Sequence, residues 1–452
     1  MKRTLGLALL ILTSVATLLP ASAQDSASVS VIAGHLINPH GLAIASDGSL
    51  VIAEAGSGGE ATATDTGPFV NGATGRISRI ESGCPVVLAD GLPSARAETG
   101  EIVGPSGVAV LGDRIFALSA GGGASHGSPE TVTAVVEVTG GQLTPIADLT
   151  TWLASNPVAN PPQNPDADGL WTSLTATPDG SALVAVEQNQ GQVVRIGLDG
   201  TITRLADLSA GHANPIDAAF NPDGTLEVAQ FSPDPYAAGT ASVVAIAADG
   251  SQSPVWTGLT MATALAFGPD GSRYVAEFSE GRTEPPYFVP GSGRIVHQTG
   301  PDTSEVVVTD VNFPGDILFG PDGALLIGLP SVGSENGTGQ ILGVVPSGQP
   351  IALQSTNLTD PACGGEATTT LVKVSDLGLD PSAITIAVGS TVTWRNVGEF
   401  DHAVASDQSS SVQWDSGVLT PGMEFSVTFT EPGTYPYYDG LFPDRTGQIT
   451  VQ

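Results

Sequence analysis

The chain has 452 residues, more than one ordinary hydrophobic core accommodates, so at least two domains are expected. It carries 46 acidic residues against 14 basic ones, a formal charge of −32, with lysine only at positions 2 and 373. A surface so poor in bases repels nucleic acid and anionic lipid, which argues against both as partners.

Met1-Lys2-Arg3, an apolar run over residues 5–19 and Ala21-Ser22-Ala23 read as the three parts of a secretory signal peptide, cut after Ala23. An uncleaved anchor is the alternative, but the run is short for a membrane span. The mature protein is expected to be secreted or periplasmic, with no stable membrane insertion.

Residues 29–33 alternate as a strand. Then a hairpin pattern recurs: an apolar run, a turn around an aspartate, and a second apolar run. Its fullest form is residues 266–277, where Pro269-Asp270-Gly271 joins the runs and Glu277 ends the second. Pro presets φ, Asp bonds its own backbone and Gly tolerates positive φ, so the pattern is a tight β-hairpin. The turn aspartates are Asp47, Asp113, Asp179, Asp223, Asp270 and Asp322, at spacings of 66, 66, 44, 47 and 52. The shorter spacings fit a four-stranded propeller blade and the longer ones a blade with an insertion. Third strands open at Gly75-Arg76, Gly191-Gln192, Gly293-Arg294 and Gly339-Gln340, and fourth strands follow at 202–205 and 305–308. The fold class is therefore all-β, beginning with a six-bladed β-propeller. An open sandwich would share the composition, including 57 Gly and 34 Pro, without explaining the repeat.

In a propeller each hairpin supplies the two inner strands of a blade. The start of the first and the end of the second then share one face at the channel mouth. This places Asn38, His40, Asn214, Asp217 and Asp316 beside Glu54, Glu187, Gln230 and Glu277. Insertions at 56–74, 119–130, 150–169, 231–240, 279–292 and 329–338 open onto the same face, which makes it the candidate binding face. Residues 359–370 have a linker's composition. Short strands beyond it, at 372–374, 384–386, 392–394, 425–429 and 448–451, are too irregularly spaced for a seventh blade and suggest a small β-sandwich. The expected organisation is a signal peptide over 1–23, a propeller over 24–358, a linker over 359–370 and a second domain over 371–452. Cys84 falls in the first blade and Cys363 just after the last. Ring closure makes those blades neighbours, so a Cys84–Cys363 disulfide is expected, as suits an oxidising compartment.

The propeller region, roughly residues 28–355, resembles the ScyD/ScyE family of six-bladed propellers. The resemblance rests on Asn38-Pro39-His40-Gly41-Leu42-Ala43, Ala53-Glu54-Ala55-Gly56, Thr74-Gly75-Arg76-Ile77 with Gly91-Leu92-Pro93-Ser94, and Gly104-Pro105-Ser106-Gly107-Val108. It implies the fold and no particular reaction.

The C-terminal region resembles a cupredoxin of the plastocyanin type, through Thr391-Val392-Thr393-Trp394-Arg395-Asn396, Asp401-His402-Ala403-Val404, Trp414-Asp415-Ser416-Gly417, Thr420-Pro421-Gly422 and Phe429-Thr430-Glu431-Pro432-Gly433-Thr434-Tyr435. The resemblance implies a small cupredoxin-like β-sandwich whose copper site takes one early His and a later Cys-x2-His-x2-Met run. His402 matches the first ligand. Asp439 stands at the Cys position, Phe442 at the second His and Arg445 at the axial Met. A blue-copper centre needs two imidazoles and a thiolate, so no type-1 copper is expected at this degenerate site.

Three weaker signals remain. Gly123-Ala124-Ser125-His126-Gly127 fits G-x-S-x-G, but that motif acts on a strand–turn–helix and here falls in a loop. The acids Glu54, Glu187, Asp217, Glu277 and Asp316 could converge on Ca2+, whose ligands are hard oxygens, as the metal of related lactonase propellers implies. Solvated carboxylates, or partners of neighbouring Asn and Arg, are the alternative. The sequons at Asn336 and Asn357 matter only in a glycosylating host. The expected function is an exported, non-catalytic binding or scaffold protein with an unidentified extracytoplasmic ligand or protein on its channel face. The alternative is a propeller enzyme, either a lactonase-like hydrolase or a cofactor-dependent oxidoreductase, with a channel metal. Electron transfer is disfavoured by the missing copper ligands.

Overall fold

Strands of the repeat are apolar on both faces because each face meets a different neighbour. In Ala182–Glu187, Leu183 and Ala185 pack toward the preceding sheet while Val184 and Val186 pack toward the following one. The same alternation around the ring gives six hydrophobic clusters, one between each pair of successive sheets. The cluster of Ala33, Leu36, Leu42, Leu50, Ile52, Leu326 and Ile341 joins the last sheet to the first and closes the ring.

This is a six-bladed β-propeller followed by a β-sandwich. The computed structural model describes residues 28–59, 69–97, 100–346, 349–353, 358–361, 363, 369–387, 390–408, 410, 412–431 and 433–451. The signal peptide expected over 1–23, part of the 359–370 linker and Asn357 lie outside the described residues. Blade one is Pro39–Ile44, Leu50–Glu54, Phe69–Glu81 and Cys84–Ala97. Blade two is Pro105–Leu111, Arg114–Ser119, Ala134–Thr139 and Gln142–Asp148; blade three is Trp171–Ala176, Ala182–Glu187, Gln192–Gly197 and Ile202–Asp207. Blade four is Asn214–Phe220, Leu226–Phe231, Ala241–Ile246 and Gln252–Leu259; blade five is Ala262–Phe267, Arg273–Glu277, Gly293–Gly300 and Thr303–Val311. Blade six takes Asp316–Phe319, Leu325–Leu329 and Gly339–Val345, and its outer strand is the N-terminal Ser28–Leu36, antiparallel to Gly339–Val345. The ring is thus fastened by its own N-terminal strand.

The turns form for the expected reason. Asp47, Asp179 and Asp270 each accept from the backbone N–H and hydroxyl of the serine two residues on. The glycine after each of those acids has φ between 68° and 83°. Two further glycines are needed for close approach. A Cβ at Gly41 would come within 2.6 Å of the Gly107 Cα, and one at Gly107 within 2.6 Å of the Leu174 backbone nitrogen. Inner strands of blades one to three therefore meet almost backbone to backbone.

Two details differ from the sequence reading. Residues 69–74, read as an insertion, extend the third strand of blade one into a long hairpin with Cys84–Ala97. The 150–169 insertion contains the helix Leu149–Ser155, capped by Asp148. Both gain backbone hydrogen bonds that a bare loop would lack.

Cys84 and Cys363 are joined, with Cα atoms 5.4 Å apart and a sequence separation of 279. The segment around Cys363 lies across the seam between the sixth and first blades. The His35 Nε2 meets the Pro361 carbonyl at 3.2 Å, and Asp360 accepts from Gln340 at 2.5 Å. Opening so long a loop restores unfolded-state entropy worth about 5–6 kcal/mol in the chain-entropy model. Cys84→Ser is expected to lower the propeller's melting temperature by several degrees. A melt unchanged from wild type under non-reducing conditions would refute this role.

The sandwich has one sheet ordered Gly378–Asp380, Thr369–Ser375, Thr391–Asn396, Glu424–Thr428 and a second ordered Ala383–Ile386, Thr446–Val451, Gly433–Asp439, His402–Ser406, Asp415–Leu419. Val372, Val392, Trp394, Phe429, Tyr435, Tyr437 and Ile449 fill its core. Four of its strands were not foreseen: Gly378–Asp380, His402–Ser406, Asp415–Leu419 and Gly433–Asp439.

Candidate functional site

His402 opens a strand whose five residues are all buried, and Asp439 closes the neighbouring strand. Pairing of those strands brings the two side chains together, the His402 Nδ1 lying 2.6 Å from the Asp439 Oδ2 with neither side chain exposed. Asp439 Oδ1 accepts from the backbone N–H groups of Ala403, Leu441 and Phe442 at 3.0–3.3 Å. The turn after Asp439 then brings Phe442 and Arg445 back over the pair. The Phe442 ring lies 5.3 Å from the imidazole, and the Arg445 guanidinium sits 4.2 Å over that ring and 3.8 Å from the Asp439 carboxylate. All four positions singled out from the sequence therefore gather at one end of the sandwich.

A fifth member, Asp376, was not foreseen. Its Oδ1 is 3.1 Å from the His402 Nε2, and the Arg445 guanidinium donates to the carbonyls of Ser375 and Asp376. Asp376 sits in a plain turn after a strand and carries no motif, so only the fold reveals it. The Asp376 carboxyl is held below the usual carboxylate range, first by the Glu399 backbone N–H and also by the bond with His402. Each ring nitrogen lies within hydrogen-bonding distance of a carboxylate, and Arg445 adds a guanidinium beside Asp439. The network is closed on itself.

Type-1 copper does not fit these residues. The imidazole nitrogens are both engaged, Phe442 has no donor atom, and Arg445 would place a cation beside the metal. Both cysteines of the chain are in the disulfide. Among the described residues no group of three or more His, Cys, Asp or Glu is disposed to hold a metal ion.

The propeller acids separate into two kinds. Glu54, Glu187 and Glu277 end second strands and lie opposite a residue of the third: Glu54 faces Arg76, Glu277 faces Arg294 and Glu187 faces Gln192. Glu54 takes both Arg76 nitrogens at 2.8 and 2.9 Å and the Ser78 hydroxyl, while Glu277 pairs with Arg294 and the Thr260 N–H. Asp316 opens the first strand of blade six, Asp217 lies midway along the first strand of blade four, and both line the channel. Asp217 accepts from the Ser173 hydroxyl and the Leu265 N–H, and Asp316 from the N–H groups of Leu42 and Ile317. The five acids do not form one convergent ring. The signal for the pairing was in the sequence, since Glu at a second-strand end recurs with Gly-Arg at the third-strand start.

Blade three keeps the glutamate without the arginine. Burial is the largest influence on Glu187 and raises its carboxyl to about 7, despite bonds from the backbone of Gln190, Leu170 and Asn189. The folded protein holds this proton where the unfolded chain, near 4.5, has released it. That stability is complete below pH 4.5 and is lost as pH rises through about 7, a change on the order of 3 kcal/mol. Urea unfolding at pH 5 and pH 8 should show a larger decline in wild type than in Glu187→Gln. Equal declines in both proteins would refute the assignment.

The Ser125–His126 motif forms a short turn, Ala124–His126, rather than a nucleophile elbow. The Ser125 hydroxyl donates to Asp166 and Asp168, both at 2.6 Å, and the His126 Nε2 meets Asp166 at 3.0 Å. Serine and histidine each contact the carboxylate and are not aligned on one another, so the cluster pins two loops. Burial opposes ionisation of Asp166, but the bond and charge of His126 prevail and hold it at about 2.

The family model for copper-binding proteins of the plastocyanin/azurin family matches residues 367–447. Plastocyanin of Scenedesmus fuscus is 31% identical over 86 residues, covering 17% of this chain and 88% of that protein. The chloroplastic plastocyanin of Oryza sativa subsp. indica is 34% identical over 70 residues, covering 14% of this chain and 46% of the rice protein, so the chain spans about half its length. Among solved structures, a purple cupredoxin from Nitrosopumilus maritimus is 28% identical, covering 18% of this chain and 99% of that one, with a TM-score of 0.17.

Proposed function

The chain belongs, through its C-terminal domain, to the plastocyanin/azurin family, and from that premise we propose that it is an exported, non-catalytic binding protein that keeps the family's sandwich without its redox centre. The observation that carries this reading is the ion network at the four ligand positions, where a metal would have to displace three partners of His402 and Asp439. A second observation says what the domain is kept for. Leu377 is 97% exposed and Phe400 64% exposed, and Val397, Met423, Leu441 and Phe442 are exposed beside them on the turns that flank the network. Such an apolar crown suits docking to another protein.

The export reading rests on the basic start, apolar run and Ala21-Ser22-Ala23, with which the disulfide is compatible. The domain boundaries proposed are 24–358 for a propeller of ScyD/ScyE type, 359–370 for a linker and 371–452 for the sandwich. An enzymatic propeller would need a channel metal or cofactor, and two of the three candidate glutamates, Glu54 and Glu277, already hold arginines. Elemental analysis of the purified mature protein tests the reading. Stoichiometric copper would overturn it, and stoichiometric calcium or zinc would favour the enzyme; a protein free of all three is the expected result.

A further inference from the structure

The cavity along the propeller axis has a volume of about 440 Å3, within the range that holds a small organic ligand. Its wall changes character along the inner strands. Ahead of the strand ends it presents Asp217 and Asp316 with the hydroxyls of Ser173 and Thr263; where the strands end it presents Phe220, Phe267 and Phe319. The three phenylalanines come from equivalent positions in blades four, five and six, just before each hairpin turn.

Among the described residues, no lysine or arginine lines this cavity. The glutamates at the blade edges meet arginine or a set of backbone donors, but the two channel aspartates face each other's field with only hydroxyl and N–H donors. A carboxylate has about four acceptor positions, so each retains room for another donor. Burial raises both carboxyls, and the Asp217 charge raises Asp316 further, while every hydrogen bond the two accept comes from a neutral donor, which leaves their charge unmatched when they ionise. The third titratable group of the wall, His40, is kept from charging chiefly by burial, and its Nε2 meets the Ser331 carbonyl.

We propose that this channel binds a cationic amphiphile, with an ammonium or amidinium head at the Asp217 and Asp316 end and an aryl or alkyl body against Phe220, Phe267 and Phe319. The proposal deepens the binding-protein reading and rests on it for the absence of turnover. It does not depend on the copper question: copper in the sandwich would overturn the earlier reading and leave this one standing.

The test uses the full mature chain at physiological salt with 4-phenylbutylamine as probe and 4-phenylbutanol as its neutral isostere, followed by calorimetry. The amine is expected to bind at least tenfold more tightly than the alcohol. Asp316→Asn should remove that preference, and Phe319→Ala should weaken both ligands several-fold. Equal binding of amine and alcohol, or no binding of either, would overturn the proposal without any variant. An amine preference that survives in folded Asp316→Asn and Asp217→Asn would assign it to the acidic surface and equally overturn the site.

Discussion

A variant carrying Asp439→Cys, Phe442→His and Arg445→Met is expected to become intensely coloured on addition of Cu2+, while the natural protein stays colourless. The expectation follows from which nitrogen faces which position. His402 directs Nδ1 at residue 439, the place where a thiolate would sit, and its Nε2 is already held by Asp376. A carboxylate behind a ligating imidazole orients the ring for a metal on the other side. Phe442 already lies against the imidazole, so a histidine there needs only to present a nitrogen to the same space. Replacing Arg445 removes the competing cation and frees the Ser375 and Asp376 carbonyls, which are near enough to the surface to be hydrated. The gain is therefore all-or-none in the visible spectrum. A folded variant that remains colourless with Cu2+ would mean that the four positions are not equivalent to the ligand positions. A natural protein that colours would refute the argument from donor chemistry.

Much of this geometry was legible in the sequence, for physical reasons that also explain what was not. The propeller announces itself because a turn with Asp and Gly must recur once per blade, and Asp47, Asp179 and Asp270 make the bonds that their residue types allow. The copper-site positions could be placed because their spacing within one turn survives the loss of every ligand but His402. What closes the ring was not legible. Ser28–Leu36 has the alternation of any exposed strand, and only its pairing with Gly339–Val345 makes it the outer strand of the last blade. Asp376 was invisible for a similar reason, since it meets His402 through the packing of two sheets rather than through local spacing. The channel acids were assigned to the right end of the strands and to the wrong company. A channel aspartate reaches the inner strands of neighbouring blades, whereas an end-of-strand glutamate points across to the next strand of its own blade, where Arg76 and Arg294 stand in register.

Removing one partner of the His402–Asp439 pair is expected to destabilise the sandwich by about 3–5 kcal/mol, because the survivor loses its shortest hydrogen bond in a fully buried site. Both side chains have no exposed surface, so solvent does not screen the pair. Asp439→Leu also strands the backbone N–H groups of Ala403, Leu441 and Phe442, which adds to the cost in the same direction. His402→Leu leaves Asp439 with the Arg445 guanidinium at 3.8 Å as its remaining charged neighbour. The double variant loses the pair as a unit, and replacing buried ion pairs with apolar side chains of similar volume costs far less than breaking them. The two single losses should therefore exceed the double loss by about 2 kcal/mol or more, within the range found for residues in direct contact. Urea unfolding of the sandwich transition, followed by tryptophan fluorescence of the stacked Trp394 and Trp414, reads this cycle in the intact chain. Losses that add to within about 0.5 kcal/mol would mean the two groups act independently. The closed network would then be no reason for the domain to have kept its fold without copper.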